Sequence, residues 1–227
     1  MNKDTIIAFN NMGIDLVQGY GATETSPVIS AETDKEKRPG SVGIVFDDLE
    51  VKIDNPNEEG VGEILVRGPS VMKGYYENEE QTKKAFVDGY YKTGDFGYLD
   101  KDEFLYVTGR KKDIIVLLNG KNVYPEEIEI LINKIPYVKE SLVYQRGQNV
   151  TDTMLCAKIV YDEDEIKKAY GDMDEETYKE EIWKEVKRIN EKLPSFKHIK
   201  KIDITTKDFE KTTTQKVKRY KELEKIK

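Results

Sequence analysis

Three short stretches hold the side chains whose types and spacing could do chemistry. In "QGYGATETSP", Gly19 and Gly21 allow a tight backbone path, Tyr20 offers a flat ring, Thr23 a hydroxyl and Glu24 a carboxylate. A ring, a hydroxyl and a carboxylate so close together suit a nucleotide: stacking on a base, bonding a phosphate, holding a metal that bridges phosphates. The same stretch also reads as a plain polar glycine loop. In "YYKTGDFGYLDKDEFLYVTGRKKD", Asp95 precedes Arg110 by one pair of short β segments. A carboxylate that accepts two hydrogen bonds is a natural partner of a ribose diol, and a guanidinium offers a planar fork of donors to the same sugar or to a phosphate. Taken alone, the two read first as an ordinary surface aspartate and a turn arginine. In "KTTTQKVKR", Lys216 follows three threonines and a glutamine. A flexible polar loop can carry such a lysine to a developing anion, whereas a basic solvated tail is the alternative. His198, the only histidine, sits in "FKHIKKI" on an expected strand with no candidate partner, and it is given no role.

Composition narrows the chemistry. A net charge of -7 over 227 residues argues against a general nucleic-acid binder, which would show a basic surplus. One histidine and one cysteine, Cys156, cannot build the usual transition-metal clusters or an internal disulfide framework. Mg²⁺ stays open, because it needs only carboxylates and substrate phosphates. Mean hydropathy is -0.68, and no apolar run approaches a membrane-spanning length. The reduced cysteine usage and the lack of a secretory leader pattern give a cytoplasmic expectation.

The elements that must position these groups follow from periodicity. Residues 3–12 read as a helix with Ile6, Ile7, Phe9 and Met12 as an apolar stripe and Gly13 as its cap. "IDLVQ" reads as a short buried strand feeding the "GYGATETSP" loop. From Arg38 to Val107, alternation in "LEVKID" and "GEILVRG", a short helix starting near Asn78 and two more strands predict a small curled, barrel-like sheet. After Gly109 strands and helices alternate. Pro125 opens a helix, "KESLVYQ" and "TMLCAKIVY" are strands, and Tyr178, Ile182, Val186, Ile189 and Leu193 line a helix that Pro194 ends. The expected fold class is α+β. Residues 1–110 form a β-rich unit and 111–227 a small α+β unit, with the boundary at Arg110–Lys112.

In order and spacing, "YGATETSP", "GEILVRGPSVMKGYYENEEQT", "YYKTGD", "YVTGRKKD", "NGKNVYPEEIE" and "TTTQKVKR" resemble the adenylate-forming superfamily of acyl-CoA synthetases, adenylation domains and luciferases. The wording is most similar to bacterial long-chain fatty-acid–CoA ligases. The resemblance implies that Tyr20 stacks on adenine with Gly19 and Gly21 around it, Thr23 contacts phosphate and Glu24 helps hold Mg²⁺. It implies that Asp95 grips the ribose with Arg110 beside it and that Val107 packs on the adenine. By the same likeness Lys112 is the hinge, Gly120 lines the passage for the CoA pantetheine arm, and Lys216 is the adenylation lysine. Two positions depart from the common pattern: Lys112 stands where other members have Asp, and Gln215 stands where many have Gly.

The implied substrates are ATP, CoA and a fatty acid or other carboxylate. The family's Ser/Thr/Gly-rich phosphate loop has no counterpart here. The expectation is therefore the C-terminal portion of a ligase lacking its N-terminal region, with a mobile lid domain at 111–227 and little complete activity alone. The alternatives are an amino-acid or aryl-acid adenylation module and a non-catalytic binding fragment.

Overall fold

The computed structural model describes residues 3–118, 120–147, 153–213 and 215–226. It divides into two compact units, Met1–Asp113 and Ile114–Lys227.

The first unit opens with α1 (Lys3–Asn11), ended by Gly13 at a φ of 79°. Short strands β1 (Gly19–Tyr20), β2 (Ser30–Ala31) and β3 (Ile44–Val45) pair antiparallel in that order. Next come β4 (Glu50–Asp54), β5 (Gly62–Arg67), α2 (Glu79–Ala85), β6 (Phe86–Val87), β7 (Tyr90–Leu99) and β8 (Leu105–Arg110). The larger sheet runs β4-β5-β7-β6, with β8 also paired to β7. β5 lies between β4 and β7, and five of its six residues are buried. Asn78 caps α2 by accepting from the Gln81 N–H, and Glu79 and Glu80 sit at the positive end of the helix dipole. A small core of Ile29, Ile64, Val66 and Leu105 holds the two sheets of this unit together.

The second unit begins with the hairpin β9 (Ile115–Val116) and β10 (Asn122–Val123). It continues through α3 (Pro125–Ile132), β11 (Val138–Arg146), β12 (Met154–Tyr161), α4 (Glu163–Tyr170), α5 (Glu175–Asn190), β13 (Lys201–Thr205) and α6 (Arg219–Glu224). β11 and β12 are antiparallel, while β13 lies parallel to β12. A parallel return needs a crossover, and α4 and α5 supply it. One face of the sheet packs Val143, Leu155, Ala157, Ile159 and Ile202 against α3, α4 and α5. The other packs Leu142 and Val160 on Phe209, Val217, Leu223 and Ile226.

The α+β class and the curled sheet agree with the sequence reading; four local expectations do not. "IDLVQ" forms no strand: Ile14 is 48% and Val17 58% exposed, because the run has no neighbouring strand. Of the α1 stripe only Ile6 is buried, and Met12 is 64% exposed. α5 stops at Asn190, four residues before Pro194, where the Asn190 side chain takes the Ile199 N–H and donates to its carbonyl. His198 ends a single 3-10 turn, with no strand at its position, and its Nε2 lies 2.9 Å from the Leu193 carbonyl. α4, which the acidic run from Asp162 concealed, is capped by the Asp162 carboxylate on the Asp164 and Glu165 N–H groups.

Candidate nucleotide site and lysine loop

The stretch Thr93-Gly94-Asp95 is a β-bulge. β5 and β7 pair Glu63 with Phe96 and Leu65 with Lys92, so Ile64 faces three residues. Gly94 takes a φ of 70°, and a Cβ there would meet nothing within 4 Å; glycine is needed for the backbone turn and not for space. Bulging breaks the ladder, and the Thr93 hydroxyl repairs it. Thr93 Oγ1 donates to the Ile64 carbonyl at 2.8 Å and accepts from the Asp95 N–H at 3.1 Å. A second irregularity lies where β7 meets β8: Phe96 pairs with Gly109 and Gly97 with Val107, leaving Thr108 over. Its Oγ1 donates to the Phe96 carbonyl at 3.1 Å. Asp95 is thus aimed by irregularities on both sides.

Asp95 is 5% exposed and stands directly opposite Arg110 in the β7–β8 register. Arg110 Nε lies 2.9 Å from Asp95 Oδ1, and the Arg110 side chain is 53% exposed. Tyr20 Oη donates to Asp95 Oδ2 at 2.7 Å. Burial, and then the Asp95 charge, push the Tyr20 phenol far up, so Tyr20 remains a donor at physiological pH. Val107 and the Tyr20 ring both pack against the Ile29–Leu105 core. Asp95, Arg110, Tyr20 and Val107, separated by as many as 90 positions in sequence, therefore share one neighbourhood.

Glu24 lies on a single 3-10 turn, Thr23–Thr25. Thr25, which the sequence reading passed over, pins that turn: buried completely, its hydroxyl accepts from the Ala22 N–H at 3.0 Å and donates to the Ala22 carbonyl at 2.9 Å. Thr23 is exposed and Glu24 half-buried. Tyr75 Oη donates to Glu24 Oε1 at 3.1 Å, and the Met72 N–H donates to the Glu24 carbonyl at 2.8 Å. Burial raises both the Tyr75 and Tyr91 phenols, followed by the hydrogen bond to Glu24 for Tyr75 and by the Glu24 charge for Tyr91. A Cβ on Gly21 would sit 1.9 Å from the Pro27 carbonyl oxygen, so the loop can close only on glycine. Gly19 is less constrained, with the Ser30 carbonyl oxygen 3.3 Å from such a Cβ.

Lys112 lies in the exposed 3-10 turn Lys111–Asp113, at the end of the first unit. Its neighbour Lys111 reaches the buried Glu63 at 2.5 Å.

In the second unit Gly120 turns the β9–β10 hairpin at a φ of 77°, with its N–H on the Leu117 carbonyl at 2.9 Å. Asn119, in "NGKN", lies outside the described residues, as does Thr214 in "KTTTQKVKR". Lys216 is exposed on a tight turn. The Thr212 N–H donates to the Lys216 carbonyl at 2.8 Å, and the Lys216 N–H donates to Thr212 Oγ1 at 3.2 Å. Lys211 and Val217 form a β-bridge beneath it. Gln215 holds a φ of 62°, the region glycine occupies without strain. The lysine loop is thus rooted by a hydrogen-bonded stem, which a reading of "KTTTQKVKR" as flexible polar sequence did not anticipate.

Comparison with known proteins gives the family. Residues 1–76 match the AMP-binding enzyme family and residues 112–226 match the AMP-binding enzyme C-terminal domain. The chain belongs to the AMP-binding enzyme family.

Among curated relatives, a 2-succinylbenzoate–CoA ligase of Listeria innocua is 36% identical over 222 residues, covering 97% of this chain and 43% of that protein. The long-chain-fatty-acid–CoA ligase FadD15 of Mycobacterium bovis is 38% identical over 135 residues, covering 60% of this chain and 22% of that one. The ATP-bound crystal structure of MatB from Rhodopseudomonas palustris superimposes with a TM-score of 0.81 at 28% identity, covering 99% of this chain and 43% of that one. The chain thus spans less than half the length of the relatives it matches. No described helix is long and apolar enough to cross a membrane.

Proposed function

We propose that this chain is the portion of an ATP-dependent acid–CoA ligase that grips the nucleoside and supplies the adenylation lysine. The observation that carries the reading is the Tyr20–Asp95–Arg110 cluster on the β7 bulge. A carboxylate has about four acceptor positions. Tyr20 holds one oxygen and Arg110 the other, which fixes the carboxylate as an acceptor for a ribose diol. Arg110 and Tyr20 hold Asp95 in place, and Val107 and the Tyr20 ring offer an apolar flank for a base.

Glu24 fits a Mg²⁺ ligand in donor chemistry: it is a half-buried carboxylate with its backbone fixed by Met72 and one oxygen held by Tyr75. Mg²⁺, when bound, offsets charge on the phosphates. In the proposed reaction a substrate carboxylate oxygen attacks the α-phosphorus of ATP and pyrophosphate leaves. Thr23 and Lys216 stabilise the phosphate oxygens as charge builds on them. The CoA thiol then attacks the acyl carbon and AMP departs. In this second step Gly120 lines the thiol's approach, and the second unit turns about Lys112 between steps.

The acid is an acyl or aryl carboxylate. A fatty acid is the reading of the sequence wording, supported by the likeness to FadD15. A second reading, an aryl acid such as 2-succinylbenzoate, is favoured by the relative matched over 97% of this chain. Thioester formation from either acid, by this chain together with the region its relatives have and it lacks, separates the two. The nucleoside assignment is tested by calorimetry with AMP. A hydrogen bond to a charged group contributes about 1.5–3 kcal/mol, so Asp95→Ala weakens binding by more than about tenfold. Equal affinity in the two proteins would overturn the assignment.

A further inference from the structure

The second unit contains a buried ion pair that the reaction as described does not use. Glu129, on α3, is 8% exposed. Arg219, the first residue of α6, donates from Nη1 to Glu129 Oε1 at 2.7 Å and to Oε2 at 2.9 Å. The side chains are 15% and 11% exposed. The same two groups close on the backbone of Val143: its N–H donates to Glu129 Oε1 at 2.6 Å, and its carbonyl accepts from Arg219 Nη2 at 2.8 Å.

Val143 lies in the middle of β11, the edge strand of the order β11-β12-β13. An edge strand presents an unpaired N–H and carbonyl at alternate residues, and buried ones need partners. Carboxylate and guanidinium together occupy the place that one peptide of a further strand would take. They are thereby fixed at both ends, to each other and to the sheet.

Arg219 follows Lys216 by three residues. Between them Lys218 donates its N–H to the Glu210 carbonyl at 2.7 Å, and Val217 bridges to Lys211. The incoming limb is held separately, by Lys211 on Glu140 at 2.9 Å and by the Phe209 N–H on Glu140 Oε1 at 3.0 Å. On the outgoing limb Arg219 is the first side-chain anchor after Lys216 that reaches the edge of β11, ahead of the packing of Leu223 and the Lys158–Glu222 pair further along α6.

We propose that Glu129, acting through the fork of Arg219, is a positioning residue for Lys216, fixing the outgoing limb of the lysine loop against the open edge of β11. This rests on the reading that Lys216 reaches the α-phosphate. Glu129 touches no reacting atom; its effect on ligand is exerted wholly through Lys216.

The test is a double-mutant cycle in the 227-residue chain, with AMP affinity read by calorimetry. Lys216→Ala weakens AMP by about tenfold. Glu129→Gln weakens it by about threefold or more in the parent chain and has no further effect in the Lys216→Ala background, because coupled residues are non-additive. Amide exchange of residues 211–219 rises in Glu129→Gln, while exchange in β12 and α5 is unchanged. Arg219→Lys, which keeps the charge and loses the fork, controls against misfolding and gives the same pattern. Equal weakening by Glu129→Gln in both backgrounds, or none in the parent, overturns the proposal. If Lys216→Ala itself leaves AMP affinity unchanged, the reading of Lys216 is overturned. Increased loop exchange would then show that Glu129 orders a loop without acting on ligand.

Discussion

At the scale of single residues, the site is made by a threonine and a glycine that touch no ligand in any reading. Thr93 satisfies the Ile64 carbonyl and the Asp95 N–H that the bulge would otherwise leave buried and unpaired. An unsatisfied buried group costs about 1–3 kcal/mol. Thr93→Val, which keeps the shape and removes the hydroxyl, therefore destabilises the first unit by about 2 kcal/mol or more in urea unfolding, and Thr93→Ser restores most of it. Gly94→Ala is a cleaner probe, because a Cβ there meets nothing and only the φ of 70° opposes it. Its cost is about 1–2 kcal/mol, measured by the same unfolding curve. Should alanine be tolerated at no cost, the left-handed turn is not what holds Asp95 at its angle.

At the scale of elements, the lysine loop and α6 form one docked piece whose stability depends on acid. Hydrogen bonds from Lys221, then from Lys225, hold the Glu210 carboxyl down from the usual 4.5 to about 2. A depressed carboxyl contributes stability that is full above its unfolded value and is lost as pH falls through the folded one. Glu129 runs the other way: burial raises its carboxyl, so its own titration favours the folded state as pH falls. Glu210 faces Lys221 on α6 and Lys225 just past its end. The prediction is that α6 and the 210–218 turn loosen between about pH 4.5 and 2, as read by amide exchange at pH steps, and that Lys221→Met moves the onset upward. Gln215 belongs to the same piece. Gln215→Val, β-branched at a φ of 62°, raises exchange at Lys216, whereas Gln215→Gly leaves it unchanged or lower.

Much of this piece was legible in the sequence, because Lys216 sits in a phrase whose order and spacing match a family. The pairing of Asp95 with Arg110 was legible for the same reason, as was the strand alternation around it. Glu129 was not. A glutamate in "PEEIEILI" reads as one more acidic side chain on a helix, and only the open edge of β11 gives it a buried task. "IDLVQ" failed for the converse reason, since apolar content makes a strand only where a neighbour exists to pair with it.

At the scale of the whole molecule, the two units differ in how much apolar core each owns. In the second, eighteen described residues form one buried cluster, from Ile115 through Ile202, drawn from the β9–β10 hairpin, α3, the three-stranded sheet, α4 and α5. In the first, the main cluster has four fully buried aliphatics, and bulges, short strands and side-chain caps do much of the remaining work. A cluster that closes within residues 114–227 needs no residue of the other unit, and a piece of about a hundred residues is long enough to fold alone. Residues 114–227 expressed separately are therefore expected to unfold in one cooperative urea transition, with a midpoint close to that of the second unit in the full chain. Residues 1–113 alone are expected to be less stable and to gain from AMP, since a ligand present at about a hundred times its dissociation constant adds about 2.7 kcal/mol to the state that binds it. A 114–227 piece lacking a cooperative transition would show that its core is not sufficient. A 1–113 piece that AMP fails to stabilise would show that the cluster around Asp95 does not by itself make a nucleoside site.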